Sequence, residues 1–313
     1  MVLFGRGAIA AAPELLGEGY ALLTTVRARE MAPELAERAY EIHEVPSGRV
    51  DEIAAALLPD VRGVLLVALG GGRVIDTAKA IAASIDPATE ERPRVAAVPT
   101  TLSAAEMTRV HRRAAGADTS LPSARPDIVI NDPALSASQP ATALAASAAN
   151  ALGHAIEGPA TIRCSPVPAL AGHEAARLIA SAYEHRSEPE RDDLALAALL
   201  AGYAIDACSY GLHHVMSQTL ARVAGVGHGH ANAAMLPHTI PALWSRGATG
   251  AGAYADLARD LAARAGASHL RALGVTDVQL DACADVAAER ADLDLTPPRP
   301  TRDELRAVYA AAA

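Results

Sequence analysis

The chain is predicted to fold as an α/β N-terminal domain with a doubly wound parallel sheet, Rossmann-like, followed by an all-α C-terminal domain. Three observations predict this. Short apolar runs alternate with helical patterns through residue 135, and strands joined by helical crossovers form parallel sheets. The run Gly63 to Leu69 leads into Gly70-Gly71-Gly72 and then a helical pattern, the strand–turn–helix arrangement that presents backbone amides to phosphate. From Pro140 onward no strand pattern appears, only alanine-rich helical stretches. The domains are therefore placed at 1–135, binding a dinucleotide, and 136–313, a helical substrate and metal-site domain. A cleft between them is the default place for chemistry.

The elements follow in order. Tyr20 to Thr25 reads as a strand, Met31 to Tyr40 as a helix, and Glu41 to Val45 as a second strand. Val50 to Leu58 is helical by its period, Gly63 to Leu69 is the clearest strand, and Ile75 to Ile85 is the helix behind the glycines. Val95 to Pro99 and Ile128 to Asn131 complete the sheet. In the second half, breaks are expected at Pro166, Pro168, Pro189, Gly225 to Gly229, Pro237 and Pro241, since proline removes a helix donor and glycine weakens the helix.

Composition narrows the function. At 313 residues the chain is long enough for two cores. Hydrophobic residues make up 51% and aromatics only 3%, so the core is expected to be aliphatic with close helix contacts. A formal charge of −9 without a basic stripe argues against nucleic acid as a partner. Cys164, Cys208 and Cys283 are odd in number and widely spaced, which reads as a reduced, cytoplasmic chain without a disulfide framework. No apolar run has the length of a membrane span, and Met1 to Ala12 lacks the basic lead and apolar stretch of a signal peptide.

One lysine stands against 26 arginines, and it is Lys79, in Gly70-Gly71-Gly72-Arg73-Val74-Ile75-Asp76-Thr77-Ala78-Lys79. A compact ammonium is not interchangeable with a guanidinium fork, so a lysine kept here is expected to have a specific task. Histidines cluster as well: His213, His214, His228, His230 and His238 lie within one stretch, and His154 lies in Asn150-Ala151-Leu152-Gly153-His154-Ala155-Ile156-Glu157. On a helix Asn150, His154 and Glu157 share a face. His154 with Asn150, closed by His214 and His228, suits a divalent metal. His230 and His238 read as ordinary packing residues.

Together these segments resemble the iron-containing alcohol dehydrogenase family, more closely its maleylacetate reductase branch. The glycine segment is similar to the family's GGGSxxDxAK loop. Pro99-Thr100-Thr101-Leu102-Ser103-Ala104-Ala105-Glu106-Met107-Thr108 resembles PTTxxGSExT, with Glu-Met-Thr as the reductase branch writes it. NALGHAIE resembles DALxHxxE, and Gly211-Leu212-His213-His214 with His228 to His238 resembles GLHH and HGxANAxxLPH. The resemblance implies that Gly70, Gly71 and Gly72 approach the pyrophosphate, that Asp76 and Lys79 face the dinucleotide, and that Thr100 and Thr101 line the nicotinamide side. Thr24, at the end of the first long strand, joins the cofactor-binding set. The family's metal ligands, an Asp and three His for Fe2+ or Zn2+, correspond to Asn150, His154, His214 and His228. It implies hydride transfer to a small-molecule substrate, a keto or enone acid, by a cytoplasmic homodimer acting on neither nucleic acid nor membrane.

Several positions depart from the family's pattern. Asn150 replaces the charged ligand, so a dication is held weakly or not at all; without it, His213 and His214 become the proton donors, with His228 beside them. Gln218 stands where a second titrating histidine is usual, and can orient a substrate oxygen but not titrate. Ala104 and Ala105 replace Gly-Ser, which predicts looser or repositioned nucleotide. Leu23-Thr24-Thr25 lacks the Asp that NAD-specific relatives carry, and Arg27 and Arg29 follow, so NADP is allowed as well as NAD. The chain starts at Val2-Leu3-Phe4-Gly5, resembling the family's VxFG strand, so a preceding edge strand is expected to be absent. The stretch Gly158 to Arg163 lacks the family's aromatics beside the substrate pocket. Two other readings stay open: a metal- and NAD-dependent cyclase or lyase resembling dehydroquinate synthase, and a degenerate accessory member.

Overall fold

A computed structural model describes residues 1–88, 91–184 and 188–313. The chain forms two compact units, Met1–Gln139 and Pro140–Ala313.

The first unit is a six-stranded sheet, β1 (Val2–Phe4), β2 (Tyr20–Thr24), β3 (Ala39–Glu44), β4 (Leu65–Gly70), β5 (Arg94–Pro99) and β6 (Ile128–Asn131). All neighbouring strands run parallel, in the order β1-β6-β5-β4-β2-β3. Its helices are α1 (Ala12–Leu16), α2 (Val26–Met31), α3 (Pro33–Glu37), α4 (Val50–Leu57), α5 (Gly72–Ala83) and α6 (Pro133–Ser136). Successive side chains of a strand point to opposite faces, and both faces are covered. Ala21, Leu23, Leu66, Ala68, Val95 and Ala97 pack with Ile53, Val74, Ile75, Ala78 and Ile81 of α4 and α5. Leu22, Val67, Leu69, Ala96, Val98 and Ile130 pack instead with Leu16, Ala28 and Leu35.

Strand order reverses between β2 and β4. The chain steps outward from β2 to β3, then returns to the other side of β2 for β4, β5 and β6. The carboxyl ends at such a switch point are where open α/β sheets bind ligands. Here those ends are Thr24 and Gly70.

Of the helix expected over 31–40 only α3 forms: α2 ends at Met31 and β3 begins at Ala39. Ala32 sits at φ −143° and ψ 67° between α2 and α3. Pro33 disfavours helical geometry in the residue before it and then starts the next turn itself.

The second unit contains α7 (Ala141–Ala160), α8 (Pro166–Tyr183), α9 (Arg191–Cys208), α10 (Leu212–Val223), α11 (His228–Trp244), α12 (Ala255–Arg264), α13 (Asp277–Ala288) and α14 (Arg302–Ala312), with no strand among the described residues. Helix α7 packs against α8, α9, α11 and α12 and is buried almost continuously from Leu144 to Gly158. Small residues permit this: a Cβ on Gly172 of α8 would come 2.6 Å from Pro159 Cγ and 2.9 Å from the Ala155 carbonyl. Pro237 and Pro241, expected as breaks, lie inside α11. The buried residues Ala231 to Leu236, Thr239, Ile240 and Leu243 anchor that helix on both sides of the missing donors, so packing overrides propensity.

The expectation of a chain without disulfides is corrected. Cys164 and Cys208 are bonded, with S–S 2.19 Å and Cα atoms 4.3 Å apart, while Cys283 is free and buried. Their 44-residue separation hides the proximity, because α8 and α9 pack as a hairpin that returns the end of α9 to the start of α8. No single helix among the described residues is long and apolar enough to cross a membrane.

Candidate active site

In the first unit the switch point holds a pocket of about 290 Å³ lined by Thr25, Arg27, Ala28, Met31, Gly71, Gly72, Arg73, Val74, Thr100 and Thr101. Gly71 caps α5, whose free amides and dipole favour an anion at this end. The glycines are needed for close approach. A Cβ on Gly71 would lie 3.1 Å from Thr101 Oγ1, and one on Gly72 would lie 2.8 Å from Ser103 Cβ. Gly70 serves differently: its Cβ would strike Val74 at 2.6 Å, so it seats the helix on the strand and does not line the pocket.

Three further residues expected at the cofactor lie outside the lining of this pocket. Thr24 is 2% exposed and donates to the Leu69 carbonyl at 2.9 Å; its neighbour Thr25 lines the pocket instead. Asp76 and Lys79 are also outside the lining. Lys79 is 0% exposed, and its ammonium donates to Asp76 Oδ1 (2.7 Å), the Ala105 carbonyl (3.0 Å) and the Val110 carbonyl (3.1 Å). All three donors are spent inside the unit, tying the segment after Thr101 to α5. A flat guanidinium could not make this tripod. Ala104 is held at φ 61°, a left-handed conformation that costs an L-residue about 1–2 kcal/mol. The missing glycine is therefore felt as backbone strain.

In the second unit α7 and α10 bring Asn150, His154, Glu157, His213 and His214 together. Glu157 is fully buried and collects three donors: His213 N–H on Oε1 at 2.5 Å, and His214 N–H (3.2 Å) and Nδ1–H (2.6 Å) on Oε2. The His214 proton is thus on Nδ1. His213 Nδ1 lies 2.8 Å from Thr239 Oγ1, which is also 3.1 Å from the Met235 carbonyl; with the hydroxyl hydrogen assigned to that carbonyl, the His213 proton is assigned to Nδ1. Both Nε2 atoms are left as buried lone pairs without a protein partner. Asn150 Oδ1, His154 Nδ1 and Gln218 Oε1 share that condition. His154 stacks on His214 with ring centroids 4.6 Å apart, and His213 meets His214 edge-on at 4.8 Å. Gly153 makes room for the rings, since a Cβ there would sit 2.6 Å from His213 Nε2.

Burial is the largest influence on all three rings. It pushes His213 and His214 down to about 3, and drives His154 well below the ordinary imidazole value, with neighbouring histidines acting in the same direction. Burial therefore works against the imidazolium form that the expected proton donation by His213 and His214 would draw on. At neutral pH neither bears a proton on Nε2, and each acts there as an acceptor. Glu157 and Gly153 were visible in the NALGHAIE segment, but its spacing does not show that Glu157 turns toward α10.

A metal is poorly served by this donor set. Among the described residues no three His, Cys, Asp or Glu side chains are grouped so as to hold an ion. Asn150 supplies no charge, and His228, exposed at the start of α11, has Nε2 engaged by Asn232 Nδ2 at 3.2 Å.

Comparison with known proteins adds the following. Residues 1–133 match the family model described as "Iron-containing alcohol dehydrogenase", and residues 144–266 match "Fe-containing alcohol dehydrogenase family, C-terminal". The chain is 30% identical to maleylacetate reductase of Sphingobium indicum, covering 76% of this chain and 72% of the relative. It is 28% identical to 1,3-propanediol dehydrogenase of Klebsiella pneumoniae, covering 78% and 75%. Among solved structures, maleylacetate reductase from Agrobacterium tumefaciens superposes with TM-score 0.83 at 26% identity, covering 99% of this chain and 95% of that one.

Proposed function

We propose that this chain, which belongs to the iron-containing alcohol dehydrogenase family and is an NAD(P)-dependent oxidoreductase, reduces a small carboxylated enone or ketone of the maleylacetate type. Members of the family use NAD(P) and a divalent metal. The observation that carries the substrate reading is the neutral cluster around Asn150: two fixed imidazoles whose buried Nε2 atoms have no protein partner, in place of a charged metal cradle. Several relatives near 30% identity are maleylacetate reductases, which supports the same reading.

A bound reduced nicotinamide would supply a hydride, with its electron pair, to an electrophilic carbon of the substrate. The C=C or C=O π pair then takes a proton from water. The residues of the second unit act on that proton. With Nδ1–H fixed by Glu157 and Thr239, the Nε2 atoms of His214 and His213 accept a hydrogen bond from water or from a substrate hydroxyl and hold it in place. Gln218 Oε1 and Asn150 Oδ1 are further acceptors in this neutral surround. In the first unit Gly71 and Gly72 at the α5 N-terminus would hold the dinucleotide phosphates.

Purified protein is expected to oxidise NADH or NADPH with maleylacetate and related keto and enone dicarboxylates, and to oxidise simple alcohols poorly. Absence of turnover across such a panel, with either coenzyme and with or without added Fe2+ or Zn2+, would remove the proposal. Efficient oxidation of 1,3-propanediol that depends on added metal would favour ordinary alcohol dehydrogenase chemistry instead.

A further inference from the structure

We propose that the pocket at the β2/β4 switch point takes the 2′-phosphate of NADP(H) between Arg27 and Arg73, which makes NADP(H) the preferred coenzyme. The inference rests on the dinucleotide reading above and goes beyond it by choosing between the two coenzymes.

Charge is the first argument. The pocket lining holds two guanidiniums and no Asp or Glu. That is a local reversal in a chain of net charge −9, where many arginines are paired with carboxylates, as Arg38, Arg49, Arg177 and Arg264 are. Arg73 is exposed and has no hydrogen-bond or ion-pair partner among the described residues. Arg27 is oriented without being neutralised. One amino group donates to the Ser138 carbonyl at 2.5 Å and to Ser138 Oγ at 2.8 Å, leaving the other edge of the fork for an anion.

What the pocket lacks is the second argument. Selecting NAD(H) calls for a carboxylate that accepts the ribose 2′-hydroxyl, whereas an arginine accommodates a phosphate there. The residue after β2 is Thr25, whose Oγ1 already accepts the Ala28 amide as the cap of α2. It offers no charge to reject a phosphate.

The test is calorimetric titration of the intact protein with NADPH, NADH, ADP-ribose and 2′-phospho-ADP-ribose. NADPH should bind at least about tenfold more tightly than NADH, and the 2′-phosphorylated fragment should show the same preference. Arg73→Ser should raise the Kd for NADPH more than that for NADH. Thr25→Asp keeps a capping side chain and should reverse the preference by placing a carboxylate against the phosphate. Salt should shrink the wild-type ratio. Equal or tighter binding of NADH overturns the inference. So does an Arg73→Ser variant that weakens both coenzymes equally, because the arginine would then serve the pyrophosphate common to both. If neither dinucleotide binds, the oxidoreductase reading itself fails. Circular dichroism of both variants checks that they fold.

Discussion

Glu157 does at one atom what a metal would do by coordination: it decides which nitrogen of His214 is free. Replacing it by glutamine turns one acceptor oxygen into a donor facing backbone N–H groups that also donate. Glu157→Gln is therefore expected to lower kcat by about 10–100-fold, the range for losing a residue that orients a functional histidine. The KM for coenzyme should stay unchanged, because the coenzyme pocket is built in the other unit. Nitrogen-15 NMR of the histidines supplies a readout independent of turnover, since His214 should lose its single Nδ1–H form. Unchanged kcat together with an unchanged tautomer would refute the role. Glu106 offers a second test. It is 1% exposed, its Oε2 has no partner, and burial pushes its carboxyl up to about 7 from 4.5, against the pull of its own backbone and Lys79. A carboxyl raised in the folded state contributes fully below about pH 4.5, and that contribution is lost as pH climbs through 7. Between pH 5 and pH 8 the wild type should lose up to about 3 kcal/mol relative to Glu106→Gln, measured by urea unfolding at both values.

Elements were largely legible from period and punctuation. The apolar runs that became β2, β4, β5 and β6 are buried on both faces, so their signal is continuous and strong. The glycine turn follows β4 as the sequence puts it, but α5 already begins at Gly72, three residues before the expected start at Ile75. What escaped was direction. Thr24 and Thr25 are neighbours with opposite fates, and Lys79 turns inward although the motif resemblance implies that it faces the dinucleotide. Proline was misread in α11 because tertiary burial is invisible to a local rule. The Cys164–Cys208 bond escaped for a similar reason: only the α8–α9 hairpin brings the two residues together. That bond closes a 44-residue separation, so Cys164→Ser should lower the stability of the wild-type protein by about 2–4 kcal/mol. Reductant should bring the wild type to the same unfolding midpoint. An identical midpoint for the oxidised wild type and the variant would show that the bond contributes nothing.

Across the whole molecule, charge is carried almost entirely by arginine and carboxylate, and the first unit spends the one side-chain amine on its own scaffolding. Acylating reagents attack an unprotonated, accessible amine. At 0% exposure, with three acceptors around it, Lys79 should resist them for as long as the sheet stays intact. Because no second lysine exists, the appearance of an acylated side chain in a peptide digest would time the opening of this unit residue-specifically. The protein thus carries its own chemical clock for unfolding, with no engineered probe.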